Sequence, residues 1–383
     1  MHVICGISAW QYHATPPAIL SAPCPHEGIN GSEPTRSFRA RANAAPASAS
    51  VIGRLACDLK GVSLPIHIMT DEDGSLHRNQ NVVPRRMARD INPKSDLISL
   101  GNDLYVLSIE RTLLDLAKEE PYVTVLLRCL EACGIYAVSN ETSRSRDATL
   151  TYVLAYQKAQ ESGHPPRAII ALTDERGRVP LVDPSGEPAA WTPCVDLRGR
   201  FDNLWKRPPL TTRENLLTFC CQKHGATGIK TLRKAAEATR DGSASPIESR
   251  LLPLLTLPPH QGGEGWPVPL LNHRIMLPDA LARATGQRSC TADMLFARAR
   301  GIIEVQSQRY HSDALGFDRR NGRNAALEAL GYRITEVTYD QMRDLEVFDM
   351  RIEAIARLFG LPLKSRTAAF LRHRDELHER LFS

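Results

Sequence analysis

A chain of 383 residues that is 42% hydrophobic can bury two or three cores, and a net charge of +5 is too mild to mark a polybasic nucleic-acid tail by itself. No apolar run approaches the ~18 residues that a bilayer crossing needs, so no membrane-spanning segment is expected. Nine cysteines without a CxxC pair argue against structural zinc and for reduced thiols in a cytoplasm, and the start Met1-His-Val-Ile-Cys5 lacks the pattern of a secretory leader.

In chain order, residues 1–20 are apolar-rich, with Ile4–Tyr12 expected to be ordered, and 21–50 read as a long surface loop. Leu64–Met69 is strand-like, Asp71–Gly74 marks a turn, and Leu97–Val106 is strand material around the turn Gly101-Asn-Asp103. Ser108 is placed to cap a helix running to Ala117, on which Arg111 and Asp115 form an i,i+4 pair. Further helices are expected at Tyr122–Cys133, stopped by Gly134, and at Ala148–Glu161, followed by a Pro-rich loop at Pro180–Pro193. Thr211–Cys221 and Ile229–Thr239 read as two amphipathic helices joined by a short turn. Lys230, Arg233 and Lys234 lie on the second, where they either meet a nucleic-acid backbone or form a solvated face over a packing scaffold. Ten basic residues against three acidic ones between Arg198 and Arg240 suit contact with a polyanion. Asp241–Ser245 then reads as a boundary.

The informative stretch follows. In Ser245-Pro-Ile-Glu248, Ser is a helix N-cap, Pro stands at the first helical position, and Glu248 either reaches back as a capping box or turns outward to a site. Pro258–Pro269 is a Gly/Pro-rich loop containing Trp266. Thr291–Ala297 and Gly301–Ser307 alternate apolar and polar residues and predict an antiparallel hairpin closed by Arg298-Ala-Arg-Gly301. A four-residue loop there pairs Ala297 with Ile302, Leu295 with Glu304 and Asp293 with Gln306. Asp293, Glu304 and Gln306 then share one face while Ile303 and Val305 enter a core. Two carboxylates and an amide on one face form an oxygen-rich site suited to Mg2+ (or Mn2+). Asp318 is expected to cap a helix ending at Gly331, and Tyr332–Thr338 to form a strand. His311 is either a surface residue or one facing phosphate, and Arg319, Arg320 and Arg323 can pair with phosphate from the helix. Ala354–Phe359 and Arg366–Leu381 are helical.

Ser-Pro-Ile-Glu248, Ala-Asp293, Ile-Glu304-Val-Gln306 with His311, Asp318-Arg319 and Leu-Gly-Tyr-Arg-Ile-Thr-Glu-Val-Thr338 together resemble the very-short-patch-repair-like endonuclease domains of the PD-(D/E)XK superfamily. The resemblance covers about residues 243–360. It implies an α/β (α+β) fold, a restriction-endonuclease-like mixed sheet flanked by helices, and phosphodiester cleavage. Glu248, Asp293, Glu304 and Gln306 take the catalytic positions, with the metal on Asp293 and Glu304. The chain departs at Gln306, where the family usually has Asp or Lys; an amide can ligate or orient water but cannot act as a general base. Upstream, Pro-Ile-His-Ile68, Leu-Tyr-Val-Leu107 and Ser-Ile-Glu-Arg-Thr-Leu-Leu-Asp-Leu-Ala117 resemble the AbiEi-type antitoxins of toxin–antitoxin systems. That implies an α+β domain over 1–140, a helical basic connector over 141–242, the nuclease-like domain over 243–362 and a terminal helix over 363–383. The partners implied are nucleic acid, DNA in preference to RNA, and a cognate toxin or defence protein. A nucleic-acid-binding antitoxin or regulator without turnover is the alternative on the same fold.

Overall fold

The computed structural model describes residues 1–20, 59–70, 81–101, 103–161, 181–182, 188–189, 191–195, 200–306 and 314–382. The expected loop at 21–50, the turn at Asp71–Gly74 and His311 lie outside the described residues. The described chain is a mixed α/β structure, and within it no helix is long and apolar enough to cross a membrane.

The N-terminal strands are β1 (His2–Ile4), β2 (Ile66–Thr70), β3 (Val82–Arg86), β4 (Leu97–Gly101) and β5 (Leu104–Leu107), in the order β3-β2-β1-β5-β4. The helices α1 (Gly6–His13), α2 (Pro17–Leu20) and α3 (Pro93–Asp96) sit between them, and α4 (Ile109–Leu116) and α5 (Tyr122–Ala132) follow. Ser108 caps α4, accepting from the Arg111 amide. The expected Arg111–Asp115 pair does not form. Fully buried Arg111 instead forks onto Asp90 at 2.6 and 2.9 Å, and Asp115 accepts from the Gly6 amide and from Lys118. Both residues face inward, so long-range partners outcompete the exposed helical pair that sequence spacing suggests.

Next come β6 (Tyr136–Val138), α6 (Arg146–Glu161), the short pair β7 (Leu181–Val182) and β8 (Pro188–Ala189), then β9 (Thr192–Val195) and β10 (Phe201–Lys206). β6, β10 and β9 form an antiparallel sheet in that order. The helices α7 (Arg213–Gln222) and α8 (Ile229–Ala238) agree with the expected pair, and α9 (Pro246–Thr256) starts at the predicted Ser245 cap.

The last sheet contains a strand that sequence reading missed, β11 (Leu270–Met276), which is followed by α10 (Asp279–Thr285). It continues with β12 (Ser289–Phe296), β13 (Gly301–Gln306), α11 (Ala314–Ala329) and β14 (Arg333–Thr338), in the order β11-β12-β13-β14. The first two pairings are antiparallel and the third is parallel, with α11 as the crossover. The helices α12 (Tyr339–Arg343), α13 (Leu345–Phe359) and α14 (Ala368–Phe382) close the chain. α11 begins four residues before Asp318, so that residue lies inside the helix and is not its cap, while Gly331 ends it at φ +81. The hairpin turn is Ala297–Arg300, one residue earlier than expected, because Phe296 pairs with Gly301. Gly301 is the residue required there: a Cβ would stand 2.6 Å from the Phe359 ring.

One apolar core runs through the molecule, joining Trp10, Leu113 and Leu126 to Leu232, Leu252, Ile303, Phe348 and Leu381. Its lower edge is tied by Arg374, whose guanidinium donates to Glu264 Oε1 at 2.7 Å, to the carbonyls of Leu254 and Gly262, and to Asp349. Arg374 and Glu264 are both fully buried. Arg374→Ala strands the Glu264 carboxylate with Arg366 alone, and a loss of about 3–5 kcal/mol is expected in urea unfolding. A loss under about 1 kcal/mol would mean that Arg366 satisfies the buried acid unaided.

Candidate active site

The site is built where the last sheet parts. β12 is paired with β11 along most of its length and β13 with β14 along all of its length, yet β12 and β13 meet only at Met294–Ile303, Leu295–Ile302 and Phe296–Gly301. Continuing that register sets Asp293 across from Glu304, where the strands have begun to separate. The cause is visible one strand away. The pairs Leu271–Met294 and His273–Ala292 flank a gap at Asn272 and Asp293, and Asn272 holds the left-handed φ of +47 that asparagine tolerates. Alternation breaks at the same place: Cys290, Ala292 and Leu295 pack on one side of the sheet, while Met294 and Phe296 pack on the other. Asp293 occupies the break.

There its Oδ2 accepts the Val305 amide at 2.8 Å, replacing the ladder bond lost as the strands diverge. Glu304, on the side of Ile302, is nearly buried and lies 2.5 Å from Arg323 of α11 through Oε1. The same Arg323 Nη2 donates to the Thr291 carbonyl at 2.7 Å, so one guanidinium spans the fork from β12 to β13. Ile303 is in the core and Val305 packs against it, which leaves Glu304 and Gln306 on the opposite face as expected. Glu336 stands beside Glu304 in the parallel register.

Of the two readings of Glu248, the carboxylate follows the one that reaches back to the helix start. Its amide donates to Ser245 Oγ, its Oε1 accepts from that hydroxyl at 2.9 Å, and its Oε2 accepts from the Ala244 amide at 2.9 Å and from Asn272 Nδ2 at 2.6 Å. The carboxylate turns back to its helix terminus, and its charge nevertheless reaches the fork. Burial first, then the neighbouring Asp293, push Glu248 up to about 7. The same two causes, in the same order, push Glu304 up to about 7 against the pull of Arg323. Burial also raises Asp293, opposed by the Val305 amide, Arg323 and Lys206. Three acids therefore crowd one place with less positive charge than would hold them all ionised.

The other expected residues are more dispersed. Arg319 and Arg320 are on α11, but only its later part has described side chains, including Arg323. On α8, Lys230 is exposed, Arg233 donates to the Cys220 carbonyl at 3.0 Å, and Lys234 lies 4.1 Å from the Tyr122 ring. Sequence reading missed Asn272 and Lys206. A polar Asn inside an otherwise strand-like run was a signal for the first; no local pattern announces the second, which comes from 87 positions before Asp293.

As to a metal, no three histidine, cysteine or acidic side chains among the described residues form a ready-made cage. Glu248 is saturated by its hydrogen bonds. Asp293 and Glu304 fit better: hard oxygen donors, clustered and under-neutralised, with the Gln306 amide on the face of Glu304. No family model matches this chain, and no curated protein or solved structure does.

A pH dependence follows from the crowding. Glu304 and Glu248 titrate near 7 when folded and near 4.5 when unfolded, so the stability they contribute is complete below 4.5 and is lost as pH rises through 7. Glu304→Gln, which imitates the protonated form, should flatten that decline in urea midpoints measured across the range without divalent cation. An unchanged slope would show that Glu304 is not charged against its surroundings.

Proposed function

We propose that this chain is a metal-dependent, nuclease-like protein acting on the phosphodiester backbone of nucleic acid, DNA in preference to RNA. The observation that carries the reading is the convergence of Asp293 and Glu304 at the sheet fork, with Glu248 behind them. Asp293 and Glu304 would hold Mg2+ or Mn2+, with Gln306 Oε1 as a further oxygen on the Glu304 face. When bound, such a cation polarises a phosphoryl oxygen and lowers the pKa of a coordinated water. The protein's residues set the stage for that chemistry. The Val305 amide fixes the Asp293 carboxylate, and the Ser245 cap fixes Glu248. Arg323 steadies Glu304 and ties it to Thr291 across the fork.

A second reading has its own support. Gln306 carries no titratable group, and Arg323 already neutralises Glu304 in part. Both features suit a nucleic-acid-binding antitoxin or regulator without turnover. The setting in toxin–antitoxin or phage defence, with a cognate toxin or defence partner, belongs to the same proposal and rests on the pattern around Ser108–Ala117.

Incubation with plasmid and short duplexes in Mg2+ or Mn2+ separates the two. Under the first reading the wild type cleaves, EDTA or Glu304→Ala abolishes cleavage, and Gln306→Asp raises the rate on the order of 10²-fold by adding a base. Salt-sensitive binding without cleavage in either metal selects the second. Because protons and cation compete for the same oxygens, Mn2+ should raise the melting temperature more at about pH 8 than at about pH 5. A shift of equal size at both would place the cation elsewhere.

A further inference from the structure

A phosphodiester approaching clustered acids needs a cation that is not already committed. Arg323 is engaged by Glu304 and by the Thr291 carbonyl. The side chain of Lys206 makes no hydrogen bond or ion pair among the described residues, and the residue is exposed. It ends β10 directly across from Tyr136 of β6, and cross-strand partners share a face. Tyr136 Oη donates to Ser249 Oγ at 2.8 Å, on α9 and next to Glu248, and Ser249 Oγ is 2.8 Å from Ser243 Oγ. The strand end is thereby docked on the capped turn that holds Glu248. Trp205, on the other side of the strand, is buried with its Nε1 on Ser139 Oγ. Lys206 accordingly shares the face of Tyr136, which abuts the turn holding Glu248, and Glu248 is joined through Asn272 to the kink opposite Asp293.

We propose that Lys206 is a phosphate-contacting residue of this site, delivered from a separate sheet and holding the nucleic-acid backbone beside Asp293. The assignment rests on the nuclease-like reading above. It explains how a site whose Gln306 brings no charge can still attract a polyanion. Its physical signature is two effects of opposite sign. The lysine attracts phosphate, so its removal weakens nucleic-acid binding; it also repels a cation at Asp293, so the same removal tightens metal binding.

The test uses the full chain with Lys206→Met, Lys206→Arg and Lys364→Met, the last removing the same charge away from the fork. Mn2+ affinity is read by calorimetry without nucleic acid, and duplex binding by fluorescence anisotropy in Ca2+ over a salt series. Lys206→Met is expected to weaken the duplex about 3–10-fold and to lower the salt slope by about 0.9, while Mn2+ binds more tightly. Lys206→Arg should restore duplex binding, and Lys364→Met should leave both readouts near wild type. If the wild type binds the duplex and Lys206→Met matches it in affinity and slope, or Lys364→Met loses as much, the assignment is overturned and the wider reading stands. If the wild type binds no duplex at all, both fall together.

Discussion

A buried backbone amide must find an acceptor, and at Val305 the acceptor is a side chain. β12 is committed to β11 and β13 to β14, so the two middle strands separate after three pairs. The Val305 amide falls in the gap, and Asp293 closes it. The carboxylate is therefore held by the same bond that compensates for the missing ladder, which couples its placement to the integrity of the sheet. Arg323 makes the corresponding bridge from above, with its guanidinium on Thr291 of one strand and Glu304 of the other. An opening between central strands would ordinarily expose unsatisfied groups; here the Val305 amide and the Thr291 carbonyl are each met by a charged side chain, and the charge gathers as a result.

That gathering runs against stability. Burial and mutual repulsion raise Glu248, Asp293 and Glu304 together, and Arg323 offsets only part of it. A structural role alone does not account for three acids in this arrangement, because an Asn at 293 could accept the same amide without a charge. Glu248 shows how the conflict is contained. Its capping bonds and the Asn272 amide give both oxygens donors, which keep it in place even though its charge is unfavourable there.

How much of this was legible in the sequence depends on the range over which each feature is decided. The hairpin turn is one residue from where Arg298–Gly301 put it, which moves every pair by two positions. Side chains alternate with a period of two, so Asp293 and Glu304 stay on a common face despite the error. The Ser245 cap and the Gly331 stop were readable because their determinants lie within a turn of helix. Asp318 was misread because α11 starts earlier, and capping residues have no preference strong enough to override a helix that already continues through them. β11 was invisible: its kink at Asn272 breaks the alternation on which strand recognition relies. Arg111 found Asp90 and Arg323 found Glu304, partners that no spacing rule selects.

The segment that reads as a boundary, 241–245, is held from the N-terminal side. The Gly242 amide donates to the Cys133 carbonyl at 3.0 Å, and the Ile135 amide to the Ser243 carbonyl at 2.8 Å. Gly134 permits that approach, since a Cβ there would stand 2.7 Å from the Ser243 oxygen. Tyr136 adds its bond to Ser249 one helical turn further on. The turn that caps α9 and fixes Glu248 is therefore clamped between the end of α5 and the start of β6, and the sheet carrying Lys206 is anchored to it through Tyr136. Displacing the strand end would move the cap, and moving the cap would loosen the bonds that hold Glu248. The acids at the fork are thus set by contacts from the first half of the chain as much as by the strands that carry them.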